Sequence, residues 1–249
     1  MRKALLLTLA LICSLVMAAS AAGAQYQRGS ASAYWSMPGA FFTNWEQDIV
    51  VTNWNVDTFW NIQWTKIYGP TGYLGIQTPG GVNTYHFSMF GATGFSAPSG
   101  TTCTHTTEGG GAFQCQTPVG TGITNRHVRM KLIKSNRTDD TNRWWSAWAS
   151  IDGGADRYLG QLQAPGQGWI QTAFNFHEYF GQGNGWNGST CVGPGPPRSS
   201  AVFGAPTVSS PTMSPRTLAR SGTGLNTCPG AKGQAIPFYD GVFTNLGDY

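Results

Sequence analysis

Two tryptophans on one predicted strand are the side chains best suited to bind a ligand at a surface. The sequence WWSAWASI, residues 144 to 151, alternates along its length as a half-buried strand does. This alternation predicts Trp144 and Trp148 on one face with two serines, and Trp145 and Ile151 on the opposite, core-facing side. Flat aromatic rings beside hydrogen-bonding side chains are typical of sites that bind sugars. The alternative is that both outer tryptophans belong to a second core layer or lie beneath a loop.

A later predicted strand supplies further polar candidates. In FNFHEYF, residues 174 to 180, the alternation predicts Asn175, His177 and Tyr179 on the outer face, beside the two tryptophans. The predicted ligand-binding residues are therefore Trp144, Trp148, Asn175, His177 and Tyr179. The predicted partner is a glycan or a cell-wall polysaccharide.

The same alternation places Glu178 on the core face, together with two phenylalanines. Because burial raises the pKa of a carboxyl group toward the range of a general acid, Glu178 is the candidate catalytic residue. A glycosidase needs two carboxyl groups about 5 to 10 Å apart, and Glu46 or Asp48 would supply the second. The alternative is that Glu178 ends a strand and pairs with Arg129 or Arg143, or that a bulge breaks the alternation.

No metal or cofactor motif occurs with the spacing that these ligands need. His105 is the one imidazole close to Cys103, and the sequence contains no C-x-x-C. Asp152 and Asp156 flank a D-G-G turn, but two carboxylates are too few for the roughly six to eight oxygens that calcium takes. G-x-S-x-G and H-E-x-x-H are also missing. We expect neither a metal nor a cofactor.

Residues 1 to 24 have the pattern of a secretory signal peptide. Arg2 and Lys3 give a basic start, an apolar run extends from residue 4 to 19, and Ala22-Gly23-Ala24 forms a small-residue cleavage site. An uncleaved membrane anchor is the alternative, although the apolar run is short for a membrane span. We expect an exported protein, extracellular or periplasmic, with no membrane segment after cleavage.

The cysteines agree with export. Of the five cysteines, Cys13 is lost with the signal peptide, and Cys103, Cys115, Cys191 and Cys228 remain. An even number of cysteines in an oxidising compartment predicts disulfides, and four cysteines allow three pairings. Since Cys103 and Cys115 flank a glycine-rich turn, the economical prediction is a local Cys103–Cys115 bridge and a longer Cys191–Cys228 bridge.

Composition predicts an all-β protein. Only 10% of the residues are charged, 13% are aromatic and 34 are glycine, and no segment has a sustained helical stripe. Arginines and lysines concentrate between residues 126 and 137, where they alternate with apolar residues. That pattern is typical of a half-buried strand with a basic face, so we expect no nucleic-acid partner. The predicted fold is an antiparallel β-sandwich, jelly-roll-like, with two disulfides.

The chain is predicted to form one domain after the signal peptide. Strands at short spacing, each bounded by Gly or Pro, extend through residues 25 to 210. Residues 211 to 249 are predicted to be an irregular C-terminal extension that packs on the same domain and ends in a closing strand. The sequence does not predict an oligomeric state.

Six segments together carry a resemblance to a known family. They are, in chain order, NWEQDIVVTNW, GYLGIQT, YHFSMFGAT, RWWSAWAS, GQGWIQTAFNFHEYFG and AVFGAPT. In this order and spacing the sequence resembles the secreted bacterial proteins of domain-of-unknown-function family 3472, over most of residues 35 to 208. The resemblance implies an exported β-sandwich or jelly-roll-like domain found near carbohydrate-active proteins, and it assigns no catalytic residue.

Three classes of function follow from these observations. The first is a secreted, non-catalytic domain that binds a carbohydrate or the cell envelope. The second is a secreted carbohydrate-active hydrolase or lyase that uses Glu178 with a second carboxylate. The third is a structural extracellular protein, which low charge and disulfides fit equally well.

Overall fold

The computed structural model describes most of the chain after its N-terminal segment. The described residues are 29–37, 42–66, 71–107, 110–135, 144–165, 169–180, 198–227 and 233–247. The predicted signal peptide, Arg143 and the predicted Cys191–Cys228 bridge lie outside these residues. In the described part of the chain, no helix is long and apolar enough to cross a membrane.

Eighteen strands and one short 3-10 turn make up the described elements. The first nine strands are β1 (Gly29–Trp35), β2 (Asn44–Asn53), β3 (Thr58–Lys66), β4 (Thr71–Gln77), β5 (Thr84–Phe90), β6 (Gly94–Ser96), β7 (Thr102–Thr106), β8 (Ala112–Pro118) and β9 (His127–Lys134), with the turn at Pro79–Gly81. The others are β10 (Trp144–Ile151), β11 (Arg157–Gln163), β12 (Ile170–Tyr179), β13 (Ser199–Phe203), β14 (Thr207–Ser210), β15 (Met213–Thr217), β16 (Arg220–Thr227), β17 (Gly233–Phe238) and β18 (Gly241–Leu246).

The strands form two antiparallel sheets packed as a sandwich, as predicted. Sheet A has eight strands in the order β16-β1-β12-β3-β4-β5-β8-β7. Sheet B has ten strands, eight of them in the order β17-β18-β13-β2-β9-β10-β11-β6, with β14 paired to β2 and β15 paired to β14. Within each sheet successive side chains point to opposite faces, so each sheet has one face toward the core and one face away from it.

The core lies between the two sheets and is rich in tryptophan. Trp145 of β10 is fully buried, and its ring centroid lies 5.1 Å from that of Trp64 on β3, across the sandwich. The alternation in β10 therefore has the predicted sense, with Trp145, Ala147 and Ala149 all on the core side. β10 is positioned by antiparallel pairing with β9 and β11.

The alternation in β12 has the opposite sense to the prediction. Asn175 and His177 point between the sheets and are 0% exposed, whereas Phe174, Phe176 and Glu178 point away from the core. Hydrogen bonds make the buried polar side chains acceptable there. Asn175 exchanges hydrogen bonds of 2.7 and 2.8 Å with Gln47 of sheet B.

The described residues after 210 form strands where an irregular extension was predicted, and the last of them, β18, lies where the closing strand was predicted. β16 pairs with β1 at one edge of sheet A, and β18 pairs with β13 and β17 in sheet B. The sequence of β16, RSGTGLNT, has few apolar residues because an edge strand buries little side-chain surface. Backbone hydrogen bonds to β1 define it, and such bonds leave no periodic signal in the sequence.

The predicted local disulfide is present. Cys103 and Cys115 are directly opposite each other on β7 and β8, and their sulfur atoms are bonded. The bridge joins β7, at one end of the described strand order of sheet A, to its neighbour β8.

Candidate functional site

A groove of about 580 Å³ lies on the face of sheet A that points away from the core. It extends across six strands of the sheet. Aromatic rings, amides and hydroxyls line it together with one carboxylate: Ser30, Ser32, Tyr34, Phe59, Gln63, Tyr73, Gln77, His86, Gln114, Phe174, Phe176, Glu178 and Phe180. The mixture suits a ligand with both apolar and hydrogen-bonding groups.

Glu178 and Gln77 lie in the same row across this groove. Strand register pairs Glu178 with Phe59, and Phe59 with Gln77. Two strand spacings therefore separate the backbones of Glu178 and Gln77, about 10 Å. Both side chains rise from the same face on either side of the Phe59 ring. A polar group of a ligand that crosses this ring lies within reach of a carboxylate on one side and a carboxamide on the other.

Aromatic rings form the walls and much of the floor. The ring of Phe59 contacts those of Phe176 and Tyr73 edge-on, with centroids 5.6 and 6.2 Å apart. Toward one end, Tyr34 and Phe174 lie with centroids 5.4 Å apart. Tyr34 is 41% exposed, so this end of the groove presents an aromatic surface to solvent.

Three buried polar side chains lie beneath these rings, and one of them, His86, lines the groove. Asn61, His86 and Ser88 lie on the groove face of sheet A and are 0%, 4% and 1% exposed. Within the described part of the chain, none of their side-chain polar atoms has a hydrogen-bond partner. Burial lowers the pKa of His86 from 6.5 to about 3, because the charged imidazolium loses its hydration when the ring is buried. His86 is therefore neutral at neutral pH.

The structure does not bring the five predicted ligand-binding residues together. Trp144 and Trp148 lie on sheet B, whereas Asn175, His177 and Tyr179 lie on sheet A. Trp144 is only 9% exposed, but Trp148 is half-buried and its ring lies 4.8 Å from that of Tyr158 on β11.

The other three predicted binding residues point into the interior of the sandwich. His177 packs against Trp60 and hydrogen-bonds to side chains of sheet B, and Tyr179 is buried with Ala31 and Leu246. The predicted common surface is therefore wrong, because the inner and outer faces of β12 are exchanged relative to the prediction.

The predicted carboxylate partners of Glu178 lie on the opposite side of the molecule. Glu46 and Asp48 are on the outer face of sheet B, where Arg129 pairs with both at 3.3 and 3.1 Å. Hydrogen bonding and attraction from Asp48 raise the pKa of the Arg129 guanidinium. Arg129 is therefore a partner of these two carboxylates rather than of Glu178. No second carboxylate lines the groove among the described residues.

Both aspartates of the turn after β10 form ion pairs with basic side chains. Asp152 accepts a hydrogen bond of 2.7 Å from Arg126 and another of 2.9 Å from the His127 backbone, which together lower its pKa. Asp156 lies 2.7 Å from Lys131. No group of three or more metal-binding side chains occurs in the residues that the structure describes.

Several groove residues were not found from the sequence. The segment GYLGIQT contributes to the family resemblance, but nothing in it marks Gln77 as a site residue. Ser30, Ser32 and Tyr34 lie near the start of the predicted domain, and no motif there marks them as site residues. One sequence feature could have indicated the groove: Phe174, Phe176 and Glu178 alternate on one face of β12. It does so only if this face is predicted to point away from the core.

Comparison with known proteins shows a likeness in fold. The sequence matches no protein-family model and no curated protein, so the resemblance to family 3472 stays a prediction. Among solved structures, the chain is similar to a Scytalido-glutamic peptidase crystallised with a peptide-based transition-state analogue. The TM-score is 0.50 at 10% sequence identity, over 90% of this chain and 99% of the peptidase. At this identity the likeness shows a shared sandwich architecture.

Proposed function

We propose that this protein is a hydrolase that cleaves a peptide bond of an extended chain bound in the groove, with Glu178 as the acid–base residue. The observation that supports this most directly is the position of Glu178. It is the one carboxylate among the described lining residues, and it lies in a row with Gln77. The likeness in fold to a protein named a glutamic peptidase supports the same proposal.

The chemistry needs one carboxylate and one hydrogen-bond donor. The Glu178 carboxylate accepts a proton from a water molecule, and the water oxygen bonds to the substrate carbonyl carbon. The Gln77 amide N–H donates a hydrogen bond to the carbonyl oxygen as negative charge develops on it. The protonated Glu178 then gives its proton to the leaving nitrogen, the C–N bond breaks, and the carboxylate is restored.

We also propose that the protein acts outside the cytoplasm. The Cys103–Cys115 disulfide is typical of an oxidising compartment, and the N-terminal sequence has the features of a cleavable signal peptide.

The test is to look for new chain ends. The mature protein, residues 25 to 249, is incubated with an unfolded protein substrate at several pH values, and new N-termini are identified by mass spectrometry. We expect cleavage by the wild type and a loss on the order of 10²- to 10⁴-fold in Glu178→Gln, because the acid–base group is gone.

Glu46→Gln is the matched control for this test. It removes the same type of carboxylate from the outer face of sheet B, so cleavage should be retained. Absence of new N-termini with the wild type, or equal cleavage by Glu178→Gln, would refute the proposed activity.

A second candidate function is non-catalytic binding of a glycan in the same groove. The observation that favours it is the number of aromatic rings beside serines and glutamines. A two-carboxylate glycosidase is less well supported, since Glu46 and Asp48 lie on the other sheet.

A glycan array with the mature protein tests this candidate. If the glycan binds in the groove, Tyr34→Ala should abolish binding. If it binds instead at the Trp148–Tyr158 pair on the outer face of sheet B, Trp148→Ala should abolish binding. Binding that is equal in both variants and in the wild type excludes both surfaces.

A further inference from the structure

A cluster of three buried polar side chains, which we call the notch, lies beneath the groove: Asn61, His86 and Ser88, around Gly75. Register places Asn61 opposite Gly75 and Gly75 opposite His86, so the three occupy one row on β3, β4 and β5. Ser88 follows His86 on the same face of β5. Gly75 places no side chain between Asn61 and His86. A Cβ at position 75 would overlap the Trp60 carbonyl oxygen and the Cα and Cβ atoms of Asn61, so β3 and β4 approach each other closely here.

The polar atoms of the notch are buried without satisfying one another. Both amide atoms of Asn61, both ring nitrogens of His86 and the hydroxyl of Ser88 lack hydrogen-bond partners among the described residues. Buried polar side chains in native proteins are nearly always paired, with protein, water or ligand. Five such atoms on adjacent residues of one sheet face therefore point to a group that binds between them.

The notch opens into the groove at His86. The imidazole contributes to the groove lining, and the ring of Phe59 lies edge-on to it with centroids 5.0 Å apart. Phe176 is opposite Asn61 in the register. A ligand group that reaches the notch therefore contacts these aromatic rings, which suits a short apolar stem that ends in a polar head.

The chemistry of the notch selects a neutral head with both donors and acceptors. Asn61 offers an N–H₂ donor and a carbonyl acceptor, and Ser88 offers one hydroxyl. Burial holds the pKa of His86 near 3, so its ring presents one N–H donor and one acceptor nitrogen. A carboxylate head would lack donors, and an ammonium head would lack acceptors.

We propose that the Asn61–His86–Ser88 notch binds a primary carboxamide, so that the groove prefers peptides with a glutamine or asparagine side chain. The notch row lies two residues along the strands from the Glu178 row, about 7 Å away. That is also the spacing of successive same-side side chains in an extended peptide. The preference rests on the proposed use of the groove for peptides, and it does not require that they are cleaved.

Binding is measured with Glu178→Gln protein so that cleavage cannot interfere. Fluorescence anisotropy compares peptides that differ at one position, which carries glutamine, glutamate or methionine. We expect the glutamine peptide to bind about tenfold more tightly than either of the others, and His86→Phe or Ser88→Ala to reduce that ratio. Equal affinities for the three peptides overturn the carboxamide assignment.

A second measurement avoids variants that fail to fold. The ¹⁵N resonances of His86 in the wild-type protein are followed while acetamide or acetate is added. Saturable shifts with acetamide but not with acetate support the proposal. Unchanged resonances with both probes mean that the notch takes water only, and the proposal then fails.

The two proposals can fail separately. New N-termini that show no preference for glutamine or asparagine would retain the hydrolase and overturn the notch. Selective binding of the glutamine peptide without any cleavage would retain the notch and overturn the hydrolase.

Discussion

His177 should make this fold sensitive to acid. Its ring lies between the sheets and is 0% exposed, with Nε2 2.8 Å from the Ser199 hydroxyl and Nδ1 3.2 Å from the Thr244 hydroxyl. Burial lowers its pKa from 6.5 to about 3. In the unfolded chain the imidazole is exposed to water and takes up a proton near its ordinary pKa.

The sign and size of the effect follow from this difference in pKa. Above pH 6.5 the ring is neutral in both states, and His177 adds no pH dependence. As the pH falls below 6.5, the unfolded chain binds a proton that the folded protein does not, so the free energy of unfolding falls. The loss is about 1.4 kcal/mol per pH unit, or about 3 kcal/mol at pH 4.5, and it is complete near pH 3. His86 has the same shift and should add a similar loss.

Urea denaturation of a protein that comprises residues 25 to 249, between pH 4.5 and 7.5, measures this loss. His177→Gln keeps a side chain that can hydrogen-bond to Ser199 and Thr244 but cannot be protonated, so its free energy of unfolding should fall less steeply with acid. The control is His127→Gln, which removes an exposed imidazole from the same domain. If wild type and His177→Gln lose stability in parallel from pH 6.5 to 4.5, the buried neutral histidine is not the cause.

Three other substitutions test the sandwich. Replacing Cys115 with serine should lower the free energy of unfolding by about 3 kcal/mol, because the disulfide no longer closes a short loop in the unfolded chain. The control is the wild type treated with a reductant, whose free energy of unfolding should fall by the same amount. Trp145→Ala removes a fully buried indole that contacts Trp64, and we expect a loss of about 3 to 5 kcal/mol in urea denaturation; a loss below 1 kcal/mol would contradict the packing described for the core. Arg129→Met breaks two exposed ion pairs on sheet B and should change stability by about 1 kcal/mol or less, with any difference disappearing in high salt; a large, salt-independent loss would show that these pairs matter more than their exposure suggests.

The sandwich could be predicted because its central strands alternate strongly. In β10, Trp145 and two alanines occupy the core row, and the outer row contains two serines beside two tryptophans, so the serines indicate which face is outer. Glycine and proline at the strand ends marked the turns. The local disulfide followed from the same pattern, because a glycine-rich turn brings Cys103 opposite Cys115.

The orientation of β12 could not be predicted from the strand itself. One face of β12 carries Phe174 and Phe176, and hydrophobicity alone would place that face in the core. The other face carries Asn175 and His177. The tertiary structure reverses this order because Gln47 and Trp35 supply hydrogen bonds to Asn175 inside the sandwich. These partners are more than 100 positions away in the sequence.

The groove was missed for the same reason. Its aromatic rings resemble a core row in sequence, and only the pairing of β12 with β1 and β3 shows that they face away from the other sheet. The notch is less visible still, since Asn61, His86 and Ser88 lie on two strands with a glycine between them. No local pattern connects these residues.

The position of β1 determines when the chain can finish folding. This N-terminal strand lies between β12 and β16, so its two neighbours are both made late in synthesis. Pairings so distant in sequence slow folding, because long loops must close before any contact forms. A chain shortened before β16 would leave β1 as an open sheet edge, and such edges recruit other strands into aggregates.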